Sequence, residues 1–385
     1  MRRLTIGMFT DSYVPEINGV VTSIAASVQC LRRRGHRVIV AAPAHDGIAD
    51  RDPDVFRFRS APFPFYQQIR MAFPLPAKLM MALPKMPFDL IHTHSLFFIG
   101  CLGAFLAQGR GIPLIFTYHT RWTEYSHYLP WSQNITKAQA VWVSREFCNR
   151  CTEVIAPTHG IATLLREYGV TRPIAAIPTG VDLDAFRGGT PDAAALRADG
   201  GPIVLYAGRI GKEKNVEMVI DAFALVADAV AGSRLFVVGC GPDEERLRAR
   251  AAALPCRERI AFSGALEKPE LGSYYRAANV FAFASTTETQ GLVLVEAMAH
   301  GVPVAAVECP VSREVVGSEA GLLTAAEPRA LADSIVRLLR EDARARARRQ
   351  AAARNAAAPF AIDALVDRLE DVYERASAAR NGARA

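Results

Sequence analysis

Short apolar runs alternating with amphipathic stretches fill the first half of this chain, and the same grammar restarts after a break. That repetition restricts the fold more than any other feature. Residues 4–10 read as a strand and 20–33 as a helix with Gly35 past its end; 38–42, 90–93 and 112–118 read as further strands. From Ile203 the pattern resumes: strand 203–207, helix 216–230, then strands at 234–239, 260–263, 280–284 and 302–307. Strands joined through helices must run parallel, and a parallel sheet needs cover on both faces. The expectation is an α/β protein of two doubly wound domains, and 385 residues exceed what one core usually serves. The Gly-, Pro- and Asp-rich stretch 173–198 reads as the connection. The predicted domains are 1–175 and 176–360, with a final helix in 361–385.

In open parallel sheets, ligands collect beyond the carboxyl ends of the strands, so chemistry is sought just after each one. The richest place is TTETQGLVLVEAMAHG, where Glu288 lies on a loop and Glu296 eight residues later in an apolar helix. Gln290, Gly291 and Leu292 precede or open that helix, where unpaired N–H groups point toward an anion. Upstream, IVLYAGRIGKEKN puts Gly208, Arg209 and Lys214 at a strand end. A guanidinium fork and an ammonium are suited to a diphosphate. The strand with Gly, Arg and Lys, followed by E-x7-E and the strand GVPVAA, resembles the retaining glycosyltransferases of family four, which have the GT-B architecture of two Rossmann-like domains facing a cleft. The resemblance implies that Arg209 and Lys214 hold the diphosphate of a nucleotide-sugar donor, that Glu288 grips hydroxyls of the sugar, and that Glu296 holds the ribose. It implies that the last helix crosses back to the first domain, and it puts the nucleobase near the Ser263–Leu266 loop, so that Leu266 is a donor-binding candidate.

In the first half, Asn18-Gly19-Val20 stands where the family has a Gly-Gly-Val loop, and Gly19 lets backbone approach a sugar or phosphate. Asn18 departs from the family glycine there. His119, at the end of strand 112–118, matches the family histidine over the donor sugar. It is expected either to hydrogen-bond a hydroxyl of the hexose or to present its backbone carbonyl to the anomeric carbon. YHTRWTEYSHYLP is similar to the branch of diacylglycerol glucosyltransferases and GDP-mannose-dependent lipid mannosyltransferases. His92, His94 and His127 have no such match and read equally as functional residues or as merely packed or exposed ones.

Charge points to the acceptor. Residues 1–175 hold 19 Lys or Arg against 11 Asp or Glu, and the remainder 26 against 28. Residues 63–86 mix aromatic, methionine and basic side chains without an acid, as expected of a segment at an anionic lipid surface. No nucleic-acid motif accompanies the charge. No run of eighteen uncharged apolar residues is present, and MRRLTIGMFTDSYVP reads as a first buried strand, not a leader. Seven scattered cysteines suit free thiols in a reducing cytoplasm, and Cys148-x-x-Cys151 reads as helix packing. Asp52-Pro-Asp54 and Asp182-Leu-Asp184 lack the setting of a magnesium site, and no metal or other cofactor is expected.

The expected enzyme is a retaining hexosyltransferase, cytoplasmic and peripheral at the inner face of the cell membrane, acting on the hydroxyl of diacylglycerol or its glycosylated form. A soluble polysaccharide or polyol acceptor is the alternative within the class. A nucleotide-sugar epimerase or hydrolase is the alternative outside it, and would need an acid and base poised at the sugar. The residues do not separate UDP-glucose, UDP-galactose and GDP-mannose as donors.

Overall fold

The computed structural model describes the chain except residues 1, 17, 46–51, 64–65, 73–82, 124–132, 190–192, 199 and 383–385. It divides into two units, Met1–Gly180 with Ile362–Ala385, and Val181–Ala361.

The first unit carries a seven-stranded sheet built from β1 (Thr5–Phe9), β2 (Arg37–Pro43), β3 (Val55–Phe58), β6 (Leu90–Thr93), β7 (Leu114–Thr117), β8 (Glu153–Ala156) and β9 (Ile174–Ala176). A separate antiparallel hairpin joins β4 (Ser60–Phe63) to β5 (Tyr66–Ala72). The order is β3-β2-β1-β6-β7-β8-β9, and every pairing in the sheet is parallel. The direction of winding reverses between β1 and β6. Period-two alternation divides the side chains between the faces. Phe9, Ile39, Ala41, Ile91, Leu114, Phe116 and Val154 share one core with the helices Phe98–Arg110 and His159–Glu167. The intervening positions, His92 and Thr117 among them, face the other way.

The helix Gly19–Arg33 packs against the C-terminal helix Ile362–Gly382. Polar contacts fix that pairing: Arg34 donates to Glu370 at 2.6 Å and also binds Asp367, while His36 Nε2 meets Glu370 at 2.9 Å. The chain therefore returns to its first unit, as the resemblance implied.

The second unit repeats the plan with β10 (Ile203–Ala207), β11 (Arg234–Val238), β12 (Ile260–Gly264), β13 (Val280–Phe283), β14 (Val304–Val307) and β15 (Gly321–Thr324), in the order β12-β11-β10-β13-β14-β15. Ile203, Leu205 and Ala207 enter one core, and Val204 and Tyr206 the other. Such a strand is buried on both faces and reads as a continuous apolar run, which is why it was legible. The helix Val216–Ala229 buries Val216, Val219, Ile220, Phe223, Val226 and Ala227, the i, i+3, i+4, i+7 stripe of a helix lying on a sheet. Strands β3, β4, β5, β8, β9 and β15 were not anticipated.

Candidate active site

In the second unit the winding reverses between β10 and β13, and the loops after these two strands carry Gly208, Arg209, Lys214 and Glu288. Reversal sends the following helices to opposite faces, which opens a crevice at the strand ends. Stitching between loops fixes its floor. Gly208 N–H donates to Val238 O at 3.0 Å, Ile210 N–H to Cys240 O at 2.9 Å, and Gly239 N–H to Gly264 O at 2.7 Å. Gly239 has φ of 132°, and a Cβ there would lie 1.9 Å from Gly208 O, so this approach admits glycine only.

Lys214 ends a short 3-10 turn, and its ammonium pairs with the Glu288 carboxylate. The pairing is held from below, because Ser285 Oγ and Thr287 Oγ1 each donate to Glu213 O at 3.2 Å. Arg209 pairs with Glu213 at 3.1 Å, and its carbonyl accepts from Tyr206 Oη at 2.8 Å. Burial raises the Tyr206 phenol, and the charges of Glu288 and Glu213 raise it further while Arg209 opposes them. One buried tyrosine thus senses three of the charged groups.

Glu296 sits in the helix Leu292–Ala299, which Gly291 opens in the left-handed conformation with φ of 71°. The residue is 7% exposed, and its carboxylate accepts a hydrogen bond from Tyr275 Oη at 3.0 Å. Burial lifts the Glu296 carboxyl from 4.5 to about 7, against the opposing effects of the Tyr275 bond and the Lys268 charge. Tyr275 feels both Glu296 and Tyr206, so the two tyrosines connect the Glu288 loop to the Glu296 helix. Gln290 is buried, and Leu266 is half-buried against the same core as Tyr275 and Leu294. Neither tyrosine was singled out from the sequence. Each occupies an inward position that reads as core, and only its hydroxyl contact reveals the other use.

In the first unit, Asn18 is the N-cap of the helix Gly19–Arg33: its Oδ1 accepts from Val21 N–H at 2.9 Å and its Nδ2 donates to Ser12 Oγ at 2.9 Å. That accounts physically for an asparagine in place of the family glycine, since asparagine is among the best N-caps. Gly19 is the first helical residue and is exposed. His119 follows β7 and joins two other histidines. His94 Nδ1 lies 3.0 Å from His119 Nε2, and the rings are stacked with centroids 5.3 Å apart. The His92 and His94 rings lie 4.1 Å apart, and His92 is bound on both nitrogens, to Tyr373 Oη and Thr117 Oγ1, each at 2.7 Å. Burial lowers the His119 imidazole to about 4 and that of His92 to about 3, so both rings are neutral at physiological pH. The spacing His92-x-His94 and Thr117-x-His119, at the ends of adjacent parallel strands, was the available signal for this cluster. His127 lies outside the described residues.

Asp52 and Asp54 are engaged by Arg32 and Arg37, and Asp182 Oδ1 accepts from Asp184 N–H in a local turn. Cys148 and Cys151 are free thiols buried in the core, with Cys148 pushed up to about 12 by burial. Residues 64–65 and 73–82 of the basic segment 63–86 lie outside the described residues. Among those described, Arg70 is bound to Ser60 and Lys85 closes a short 3-10 turn. No helix among the described residues is long and apolar enough to cross a membrane.

Comparison with known proteins identifies the family. Residues 17–185 match the profile of Glycosyltransferase Family 4, and residues 192–356 that of Glycosyl transferases group 1. Alpha-monoglucosyldiacylglycerol synthase of Streptococcus pneumoniae is 33% identical over 312 residues, covering 79% of this chain and 71% of that one. A GDP-mannose-dependent alpha-mannosyltransferase of Mycobacterium tuberculosis is 28% identical over 329 residues, 81% of each chain. Among solved structures, Anabaena Alr3699/HepE in complex with UDP and glucose superposes with a TM-score of 0.77 at 21% identity, covering 97% of this chain and all of that one, and supports the fold. Two matched profiles in order along the chain, and a relative above 30% identity over most of both lengths, show that the chain belongs to the family-four glycosyltransferases of GT-B architecture, in the branch of the monoglucosyldiacylglycerol synthases and GDP-mannose mannosyltransferases.

Proposed function

We propose that this glycosyltransferase moves a hexose from a nucleotide-sugar donor to the hydroxyl of a diacylglycerol-type lipid with retention of anomeric configuration, working at an anionic membrane surface on the cytoplasmic side. The observation that carries the reading is the Lys214–Glu288 pair at the reversal of the second sheet, with Arg209 beside the same tyrosine. Two cations there match a diphosphate, and Glu288 is released to sugar hydroxyls when phosphate takes its place on Lys214. The bond from the anomeric carbon to the β-phosphate oxygen breaks while that from the anomeric carbon to the lipid oxygen forms on the same face. The acceptor proton passes to the departing phosphate. Arg209, Lys214 and the N–H groups near Gln290, Gly291 and Leu292 stabilise the growing phosphate charge, and Gly208 leaves room for it. Glu296 is assigned to the ribose, Leu266 to the base side, His119 to the hexose, and Asn18 with Gly19 to the sugar and phosphate side of the first unit. This scheme uses protein cations as the countercharge and no metal.

The lipid acceptor draws support from the named lipid glucosyltransferase relative and from one face of the first unit. β6, β7 and β8 are sequential neighbours, so the helices Phe98–Arg110 and Gln133–Arg150 that connect them cover the same face. That face exposes Phe98 by 43%, Phe105 by 71% and Trp142 by 58%. Phe98, Cys101 and Phe105 form a helical stripe, and the helix bears no acid. Arg150 of the neighbouring helix is close enough to Cys101 to oppose the rise in its thiol pKa that burial and Asp11 produce. Aromatic side chains among cations suit a lipid headgroup layer.

The decisive experiment gives the purified enzyme UDP- or GDP-sugars and diacylglycerol in mixed micelles, with product anomers assigned by NMR and vesicle flotation run in parallel. Lys214→Met is expected to lower transfer by about a hundredfold, the loss of one transition-state donor of about 3 kcal/mol. Transfer only to a water-soluble sugar, without binding to anionic vesicles, would sink the lipid reading.

A further inference from the structure

We infer that His94 is a positioning residue for His119: it donates its Nδ1 proton to His119 Nε2 and so fixes both the plane of the His119 ring and the nitrogen that carries the His119 proton. The inference rests on the reading of His119 as the residue that handles the donor hexose, and adds to it the state in which His119 does so.

The surroundings of the two rings favour one direction for the bond. His94 Nδ1 and His119 Nε2 are 3.0 Å apart, and a neutral imidazole offers one donor and one acceptor, so one ring gives the proton and the other receives it. His94 Nε2 is buried and has no hydrogen-bond partner among the described residues. A buried N–H without an acceptor is rarer and more costly than an acceptor left unused. Placing the His94 proton on Nδ1, aimed at His119, leaves no N–H at Nε2 without a described protein acceptor. His119, receiving on Nε2, holds its own proton on Nδ1. His92 cannot take part in an exchange, because Tyr373 and Thr117 occupy both its nitrogens.

Packing holds the arrangement. His94 is 6% exposed, lies between the His92 and His119 rings, and its backbone N–H donates to Phe9 O at 2.9 Å. A cavity of about 40 Å³, lined in part by Ser23, His92, His94, Thr117 and Thr179, adjoins the stack on the helix-covered face. Burial and the neighbouring imidazoles lower the His94 pKa well below its usual value, which favours the neutral ring that this bond requires. A misoriented or wrongly protonated imidazole could still bind donor, yet would present the wrong edge to the hexose.

The test joins kinetics to a tautomer-specific signal. In the full-length enzyme with 15N-labelled histidine, long-range 1H–15N spectra are expected to show His119 protonated on Nδ1 and bare on Nε2. A proton on His119 Nε2 in the wild type would overturn the inference whatever the variants do. His94→Phe keeps the ring and removes the donor; it is expected to lower kcat about tenfold to a hundredfold with little change in donor KM. His94→Asn, with an amide N–H near the Nδ1 position, should recover most of that loss. Tyr373→Phe, which removes a contact of the stack without touching His94 or His119, should leave the rate near wild type. His119→Ala separates the two levels. If it abolishes transfer while His94→Phe remains fully active, the positioning role is wrong and the site reading stands. If His119→Ala is itself fully active, the hexose role fails, and the spectra alone judge the bond. Should His94→Phe not fold, the wild-type tautomer still decides.

Discussion

Glu296 is a carboxylate held where water barely reaches it, and that sets its behaviour. Its folded-state pKa of about 7 lies above the ordinary 4.5, so between these values the folded protein binds the proton more tightly than the unfolded chain does. The sign follows: the carboxyl costs nothing below about pH 4.5, its penalty grows as pH rises through that window, and it is complete above about 7, at roughly 3 kcal/mol. Glu296→Gln keeps an acceptor for Tyr275 and removes the titration. Thermal unfolding near pH 5 and near pH 8 should show the variant gaining stability relative to wild type as pH rises; a difference independent of pH contradicts a buried, titrating Glu296. The sequence named Glu296 by its distance from Glu288, but its titration could not be read there, because desolvation is supplied by the core packed around it. Asn18 shows the reverse. Its departure from the family pattern is explained by a local rule, N-capping, that was readable from its place before an apolar helix.

At the scale of elements, the loops after β10, β11 and β12 act as one stitched surface, and Gly239 is where two of them touch. Gly239→Ala meets both a left-handed φ and a backbone oxygen 1.9 Å from the new carbon, so the Gly208–Arg209 turn must shift. We expect a loss of more than about 1 kcal/mol in stability, by denaturant unfolding, together with weaker binding of nucleoside diphosphate by calorimetry. A variant with unchanged affinity would mean that the turn does not form the phosphate floor. Long elements were legible: the helix Val216–Ala229 announces itself by its apolar stripe, and β10 by an unbroken apolar run. The hairpin of β4 and β5 and the short β15 were not.

For the whole molecule, the C-terminal helix matters as part of the first unit. Glu370 binds both Arg34 and His36, and Arg375 reaches Glu153 at the foot of β8, so side chains more than two hundred residues apart in sequence share their charges. Removing one partner of such a cluster strands the others. Glu370→Ala should cost about 3 kcal/mol and raise hydrogen exchange in the first unit, residues 1–180 and 362–385, while leaving Val181–Ala361 protected. Uniform loss of protection across both units would contradict this independence. By itself the sequence determined the architecture and the identity of the charged motif, because apolar periodicity dictates strands and helices and because Gly208, Arg209, Lys214, Glu288 and Glu296 follow strand ends in a fixed order. Only the tertiary structure decided which groups meet: the Lys214–Glu288 pair, the tyrosines beneath it, and the His92, His94 and His119 stack. The longer of those contacts depend on strand order and register, which bring together residues 25 positions apart for His94 and His119, 74 for Lys214 and Glu288 and 281 for His92 and Tyr373, and no local pattern encodes which parallel strand lies beside which.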